Sequence, residues 1–202
     1  MVIILGHRFL PSISNLLDTI SLMTEPRITI RRAIPADAEA ILQVKKAAWA
    51  DRYPNEQAGI TAEGLRKEFE DDDGNIDPAA IKRWQTGIAS EGSDRITYVA
   101  VDDGRVVGYA SPHRIDGQRR VGALYVAPEA QGRGIGRELL QKVLAWHGRD
   151  EDIYLHVVSY NEAAIKFYEK AGFVKTGADF PGGHELPELE MVLKGIMPWL
   201  PS

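Results

Sequence analysis

Cysteine is absent from all 202 residues. That excludes disulfides, thiolate metal sites and a cysteine nucleophile. It fits a reducing compartment, so a cytoplasmic location is the expectation. No apolar run approaches the roughly 18–20 residues of a membrane-spanning helix. Positive charge is in deficit: 24 Lys and Arg stand against 29 Asp and Glu, a net charge of −5. The chain therefore carries no overall basic footprint for nucleic acid. No internal repeat and no low-complexity linker interrupts it. What remains is ordinary globular material, 44% hydrophobic and 26% charged. That is enough for one domain with a full core.

Residues 1–24 stand apart. Val2 to Leu5 is apolar, and Phe9, Ile13, Leu16, Leu17 and Ile20 follow at nearly helical spacing. His7, Arg8, Pro11 and Asn15 interrupt the continuous core a secretory signal needs. The stretch reads as a partly ordered N-terminal extension, or as an over-early start with Met23 as the alternative. Residues 25–197 form the expected domain, and residues 198–202, with Pro198 and Pro201, a short tail.

Along the domain the periodicity changes twice. Arg27 to Ala33 alternates as a strand. Pro35-Ala36-Asp37 opens a helix that carries Ile41, Leu42, Ala48 and Trp49 and stops at Tyr53-Pro54-Asn55. Thr61 caps a short helix reaching Phe69, and Asp77-Pro78 starts another through Ile88. Between them Glu68, Glu70 and Asp71 to Asp73 form an acidic cluster, read as a solvated loop or as an attractor for a cationic substrate. From Ile96 the period becomes two. Strands at 96–101, 106–113 and 119–126 are joined by turns at Asp102-Asp103-Gly104 and Asp116-Gly117, an antiparallel meander. A helix from Ile135, a strand over Ile153 to Val158, a helix over Asn161 to Ala171, and strands from Phe173 and Leu189 complete the chain. The expected class is α/β (α+β), a single domain with a mixed, mostly antiparallel central sheet flanked by helices.

The densest signal is Gln131-Gly132-Arg133-Gly134-Ile135-Gly136, between the meander and a helix. Glycines on alternate positions leave backbone N–H groups uncovered where a helix starts, which suits a phosphate. Arg133 and Arg137 add cationic donors nearby. A P-loop needs Lys and then Ser or Thr, but Arg137-Glu138 follows Gly136. A dinucleotide fingerprint starting at Gly132 needs a sixth-position Gly, which is Arg137 here. The remaining pattern is Q/R-x-x-G-x-G/A, met by Gln131, Gly134 and Gly136.

Here the chain resembles the Gcn5-related N-acetyltransferases (GNAT superfamily). The resemblance is carried by Leu124 to Pro128 leading into Gln131 to Gly136, then by Asn161-Glu162-Ala163-Ala164-Ile165-Lys166-Phe167-Tyr168 running on to Gly172-Phe173. It covers Arg27 to about Lys194. It implies that amides of Gln131, Gly132, Arg133, Gly134, Ile135 and Gly136 hold the pyrophosphate of acetyl-CoA, with no metal. It implies that Leu124, Tyr125 and Val126 pair with the pantetheine arm, one amide polarising the thioester carbonyl. By the same resemblance Asn161 and Ala164 sit on that arm, and Tyr168 protonates the departing thiolate. Taken from the residues alone, Asn161 is also a good N-cap and Tyr168 a good packing aromatic.

The implied function is transfer of acetyl to a primary amine by direct attack in a ternary complex. The group that deprotonates the amine stays open between His113, His184, Glu188 and a water relay. His147 and His156 are weaker candidates. Trp49 to Pro54 resembles the first-helix ending of small-molecule acetyltransferases, which with the acidic cluster favours a small cationic acceptor. Protein N-terminal or lysine acetylation, and a non-catalytic acyl-CoA-binding module, are the alternatives. Neither a nucleic acid nor a membrane is expected as partner, and a homodimer is left open.

Overall fold

The computed structural model describes residues 28–182 and 186–196. The N-terminal extension, the tail and His184 lie outside the described residues. The chain runs β1 (Thr29–Arg32), α1 (Ala38–Arg52), α2 (Ala62–Lys67), α3 (Pro78–Ala89), β2 (Tyr98–Asp102), β3 (Arg105–Ile115) and β4 (Gln118–Val126). It continues through α4 (Ile135–His147), β5 (Ile153–Val158), α5 (Glu162–Lys170), β6 (Val174–Pro181) and β7 (Pro187–Leu193).

Local chemistry sets the helix starts. Thr61 Oγ1 accepts from the Gly64 amide, Asp77 accepts from Ala79 and Ala80, and Asn161 Oδ1 accepts from Ala164. Each such cap contributes about 1 kcal/mol. Both meander turns place Asp then Gly at positive φ, at Asp103-Gly104 and Asp116-Gly117. That is the geometry a tight hairpin needs. The expected strand at Ile96 begins two residues later, because Ile96 and Thr97 make their backbone bonds to Pro112 and Ala33 instead of the β2 ladder. The strand expected from Phe173 runs from Val174 to Pro181, paired with β7 at both ends across a register shift between Lys175 and Asp179.

The seven strands form one sheet in the order β1-β2-β3-β4-β5-β7-β6. Every neighbouring pair is antiparallel except β4 with β5. Helices cover both faces. The Tyr109 ring meets Trp84 of α3 edge-on at 5.5 Å. A Cβ on its neighbour Gly108 would meet Leu139 and Ile135 of α4. Successive strand residues face opposite sides, so α3 and α4 lie on opposite faces of the sheet. Fully buried Ile41, Tyr109, Leu139, Val143, Ile153 and Met191 make the main core. A second cluster around Trp49, Leu65, Phe69 and Leu186 fastens α2 onto α1 and reaches Val158 at the end of β5.

The parallel pair is the one that matters for a site. Its register holds only Arg119 with Ile153 and Arg120 with Tyr154. Beyond Arg120 the strands part. Gly122 sits at φ +69°, and the β3–β4 register slips between Ser111 and His113. Such a bulge bends a strand and increases its twist. Here it turns β4 away from β5 and opens a wedge in the sheet.

Candidate active site

The wedge is the mouth of a cavity of about 1240 Å³. One wall is β4 from Gly122 to Val126, the other is β5 from Leu155 to Val158. The glycine turn and the start of α4 close one end, and α5 lies alongside. On the β4 wall, Leu124 to Val126 pair with Ala110 to Gly108 of β3 and, among the described residues, have no partner strand on the β5 side. The Gln131 side-chain amide donates to the Val126 carbonyl at 3.2 Å, tying the turn to this edge. Arg52, from the end of α1, donates to the Gln131 side-chain oxygen from the other side.

At the turn, Gly134 is the N-cap of α4 at φ +82° with no side chain capping it, unlike Thr61, Asp77 and Asn161. The amides from Gly132 to Gly136 take no backbone acceptor among the described residues. A Cβ on Gly132 or Gly134 would meet nothing within 4 Å, so the surface over these amides is open. Uncovered donors at the positive end of a helix dipole can hold a diphosphate. Arg133 departs from expectation. Its guanidinium turns to Asp102, Nη1 to Oδ2 at 2.5 Å, and only Arg137 of the two arginines lines the cavity.

Asn161 lines the cavity and also caps α5 through Oδ1, which leaves its amide nitrogen for other partners. Ala164 lies beside it. Tyr168 is 7% exposed, between Phe167 and Phe173, and its ring reaches the cavity. Burial, reinforced by the nearby Tyr125 phenol, pushes the Tyr168 hydroxyl well above the ordinary tyrosine range. It therefore stays protonated at neutral pH. Phe167 is half-buried and lines the cavity beneath Gly136, whose Cβ would sit 3.7 Å from the ring.

The end of the cavity away from the glycine turn is polar. His113 and Glu188, both expected as candidate bases, line it together with Arg120 and His156. Burial, with Arg95 and Arg120 nearby, lowers the His113 pKa and keeps the ring neutral. His156, a weaker candidate, lies between Glu188 and Glu190, and the Phe180 ring stacks on it at 4.5 Å. Arg120 was not expected at all; it donates to His156 Nε2 at 3.0 Å and to the Gln118 side chain. Nothing local in the sequence marks these residues beyond polar side chains inside apolar strands. His147 is a core residue: its Nε2 lies 2.9 Å from the Arg120 carbonyl, and burial lowers its pKa to about 4.

The acidic cluster does not reach the cavity. Glu70 pairs with Lys46, and Asp71 accepts from the amides of Asp73 and Asn75, closing its own loop. Among the described residues no group of His, Asp and Glu could hold a metal, and no helix is long and apolar enough to cross a membrane.

Comparison with known proteins gives this site a family. The model of the acetyltransferase (GNAT) family matches residues 60–173. A mycothiol acetyltransferase of Tsukamurella paurometabola is 35% identical over 153 residues, 72% of this chain and 48% of that one. The N-alpha-acetyltransferase RimI of Mycobacterium tuberculosis is 38% identical over 78 residues, 37% of this chain and 49% of its own. The chain thus spans about half the length of these curated relatives. YncA of Salmonella typhimurium, solved with its cofactor acetyl-CoA, superposes with a TM-score of 0.62 at 24% identity, covering 87% of this chain and 98% of that one. The order of meander, glycine turn and Asn161 helix, the wedge between β4 and β5, and the matched span agree: the chain belongs to the acetyltransferase (GNAT) family.

Proposed function

We propose that this domain transfers acetyl from acetyl-CoA to a primary amine carried by a small cationic molecule. The observation that carries the reading is the cavity, with open helix-start amides at one end and a carboxylate-bearing floor at the other. Acetyl-CoA, when bound, supplies an activated acyl group on sulfur. The amides of Gly132 to Gly136 bind its diphosphate, with Arg137 beside them. The unpaired edge of Leu124 to Val126 receives its amide-bearing arm as a strand would, and a β4 amide polarises the thioester carbonyl. The Asn161 amide nitrogen holds the same arm. Tyr168 donates the proton that sulfur takes as it leaves. With no cysteine in the chain, attack is direct, both substrates being held together.

The acceptor end favours a cation. Glu188 lines it, Glu190 stands behind His156, and Asp116 lies at its rim, against Arg120, whose charge is already engaged by neighbours. The named relatives divide over the acceptor, since RimI is an N-alpha-acetyltransferase and the other a mycothiol acetyltransferase. The deciding measurement is free-thiol release from acetyl-CoA with spermidine, kanamycin, cysteinyl-glucosamine and a peptide bearing an N-terminal alanine. Release with a small amine is the expected result. Release with the peptide alone would replace the small acceptor by a protein N-terminus. Acetyl-CoA binding without release for any amine would leave a binding module.

A further inference from the structure

Three side chains from three strands meet at the polar end of the cavity. Glu188 is on β7, His156 on β5 and Arg120 on β4. The β5–β7 ladder pairs His156 with Glu190 and Val158 with Glu188, so both glutamates share the face His156 presents. Glu188 Oε2 lies 3.4 Å from His156 Nδ1. Arg120 Nη1 lies 3.0 Å from His156 Nε2. A guanidinium can only donate, so Nε2 must accept and the ring proton sits on Nδ1, facing Glu188. The Phe180 ring stacked on the imidazole holds that orientation. Arg120 itself is fixed by two bonds that it donates to the Gln118 side-chain oxygen and by Glu190 at 3.8 Å.

The other side of Glu188 faces the reaction. Its charge is felt at the phenols of Tyr53 and Tyr125, where burial is the larger influence. Tyr125 in turn neighbours the Tyr168 hydroxyl. Glu188 and the buried Tyr168 phenol thus both neighbour Tyr125 and line the same cavity, at the part of β4 that has left β5. His113 has no such link: its ring packs on the Gly122 bulge, between Arg95 and Arg120. Among the described residues, the titratable and charged groups facing Glu188 are Tyr53 just after α1, Tyr125 and Arg120 from β4, His156 from β5 and Glu190 from β7 itself.

We propose that Glu188, oriented by His156, takes the proton from the acceptor's ammonium. This rests on the amine-acetyltransferase reading above. The ammonium passes one proton to the Glu188 carboxylate. The nitrogen lone pair then forms the C–N bond, and the C–S bond breaks with its electron pair going to sulfur. Sulfur takes the Tyr168 proton, and the second nitrogen proton restores the phenol. Glu188 releases its proton to water, so one proton leaves per turnover. His156 is a positioning residue, since it acts only through Glu188.

The test is the pH profile of kcat/KM with the panel amine the unaltered protein acetylates fastest. An alkylammonium has a pKa of about 10.4, so a base is needed most at pH 7 and least at pH 10. Glu188→Gln should lose roughly 10²-fold at pH 7, the scale of one general base. The loss should shrink steadily towards pH 10, where free amine is abundant. Glu188→Ala should regain rate at pH 7 when formate is added. His156→Phe should show part of the same pH-dependent loss, and His156→Asn, which keeps an N–H donor, should restore it. An equal loss at every pH, or no loss, would overturn the proposal while turnover by the unaltered protein preserved the amine reading. No turnover by the unaltered protein with any amine would overturn both. Acetyl-CoA affinity, measured alongside, should stay unchanged in each Glu188 variant; a parallel fall would place Glu188 in donor binding and overturn the base role.

Discussion

Arg133 Nη1 meets Asp102 Oδ2 at 2.5 Å, joining the glycine turn to the end of β2, 31 residues earlier. The side chain the motif offers to a phosphate is used as a brace. The Arg133 guanidinium hydrogen-bonded to Asp102 holds that carboxyl below the usual carboxylate range. A depressed carboxyl pKa stabilises the fold above the unfolded value and loses that contribution as pH falls through the folded one. Arg133→Ala should therefore lower Tm at pH 7, with the difference closing as pH drops below about 4. Its acetyl-CoA affinity should change by no more than about threefold, as for an exposed ion pair away from the ligand. A large loss of affinity with unchanged Tm would return Arg133 to the binding site.

Two glycines share the same backbone conformation and should fail differently. Gly122 and Gly134 both hold positive φ, +69° and +82°. A Cβ on Gly122 would lie 2.2 Å from the Ser111 carbonyl oxygen and 2.6 Å from His113 Nδ1, whereas one on Gly134 meets nothing within 4 Å. Gly122→Ala should cost more than about 2 kcal/mol in urea unfolding, because strain and overlap add. Gly134→Val should cost about 1–2 kcal/mol, from conformation alone. In Gly134→Val the loss should fall on acetyl-CoA binding, read by calorimetry, because the new side chain covers the open amides.

Tyr168→Phe separates chemistry from binding. Burial keeps this phenol protonated through the neutral range. Removing the proposed general acid should lower kcat roughly 10²-fold and leave acetyl-CoA Kd nearly unchanged. Equal losses in both would make Tyr168 a packing residue. Up to pH 9 the unaltered enzyme should show no alkaline fall in rate attributable to this group, since its pKa is raised.

His147 should govern part of the acid sensitivity. Its folded pKa, lowered to about 4 by burial, lies below the unfolded value of about 6.5. Between these values the unfolded chain binds the extra proton, so stability rises with pH across that window. The contribution is complete above pH 6.5 and lost as pH falls towards 4. His147→Gln keeps a donor for the Arg120 carbonyl. Its urea midpoint should fall less between pH 7 and pH 5 than that of the unaltered protein. An equal fall in both would show that His147 carries none of this dependence.

The sequence by itself determined the parts whose physics is local. Alternation marks the meander, Asp-Gly marks its turns, and Thr61, Asp77 and Asn161 mark helix starts through caps a few residues long. The spacing of Gly132, Gly134 and Gly136 before an apolar-periodic helix is enough to expect bare amides, because backbone exposure depends on the residues that carry it. Tertiary structure alone decided where side chains from distant strands meet. The Arg133 guanidinium turns to Asp102, a partner no spacing rule connects to it. β7 inserts between β5 and β6, and only that register sets Glu188 and Glu190 beside His156. Only the Gly122 bulge, which parts β4 from β5 after Arg120, opens the space they face. A one-residue slip in either ladder would turn these side chains to the other face of the sheet. The open glycine turn was therefore legible in the chain, and the polar end of the cavity was written in strand register.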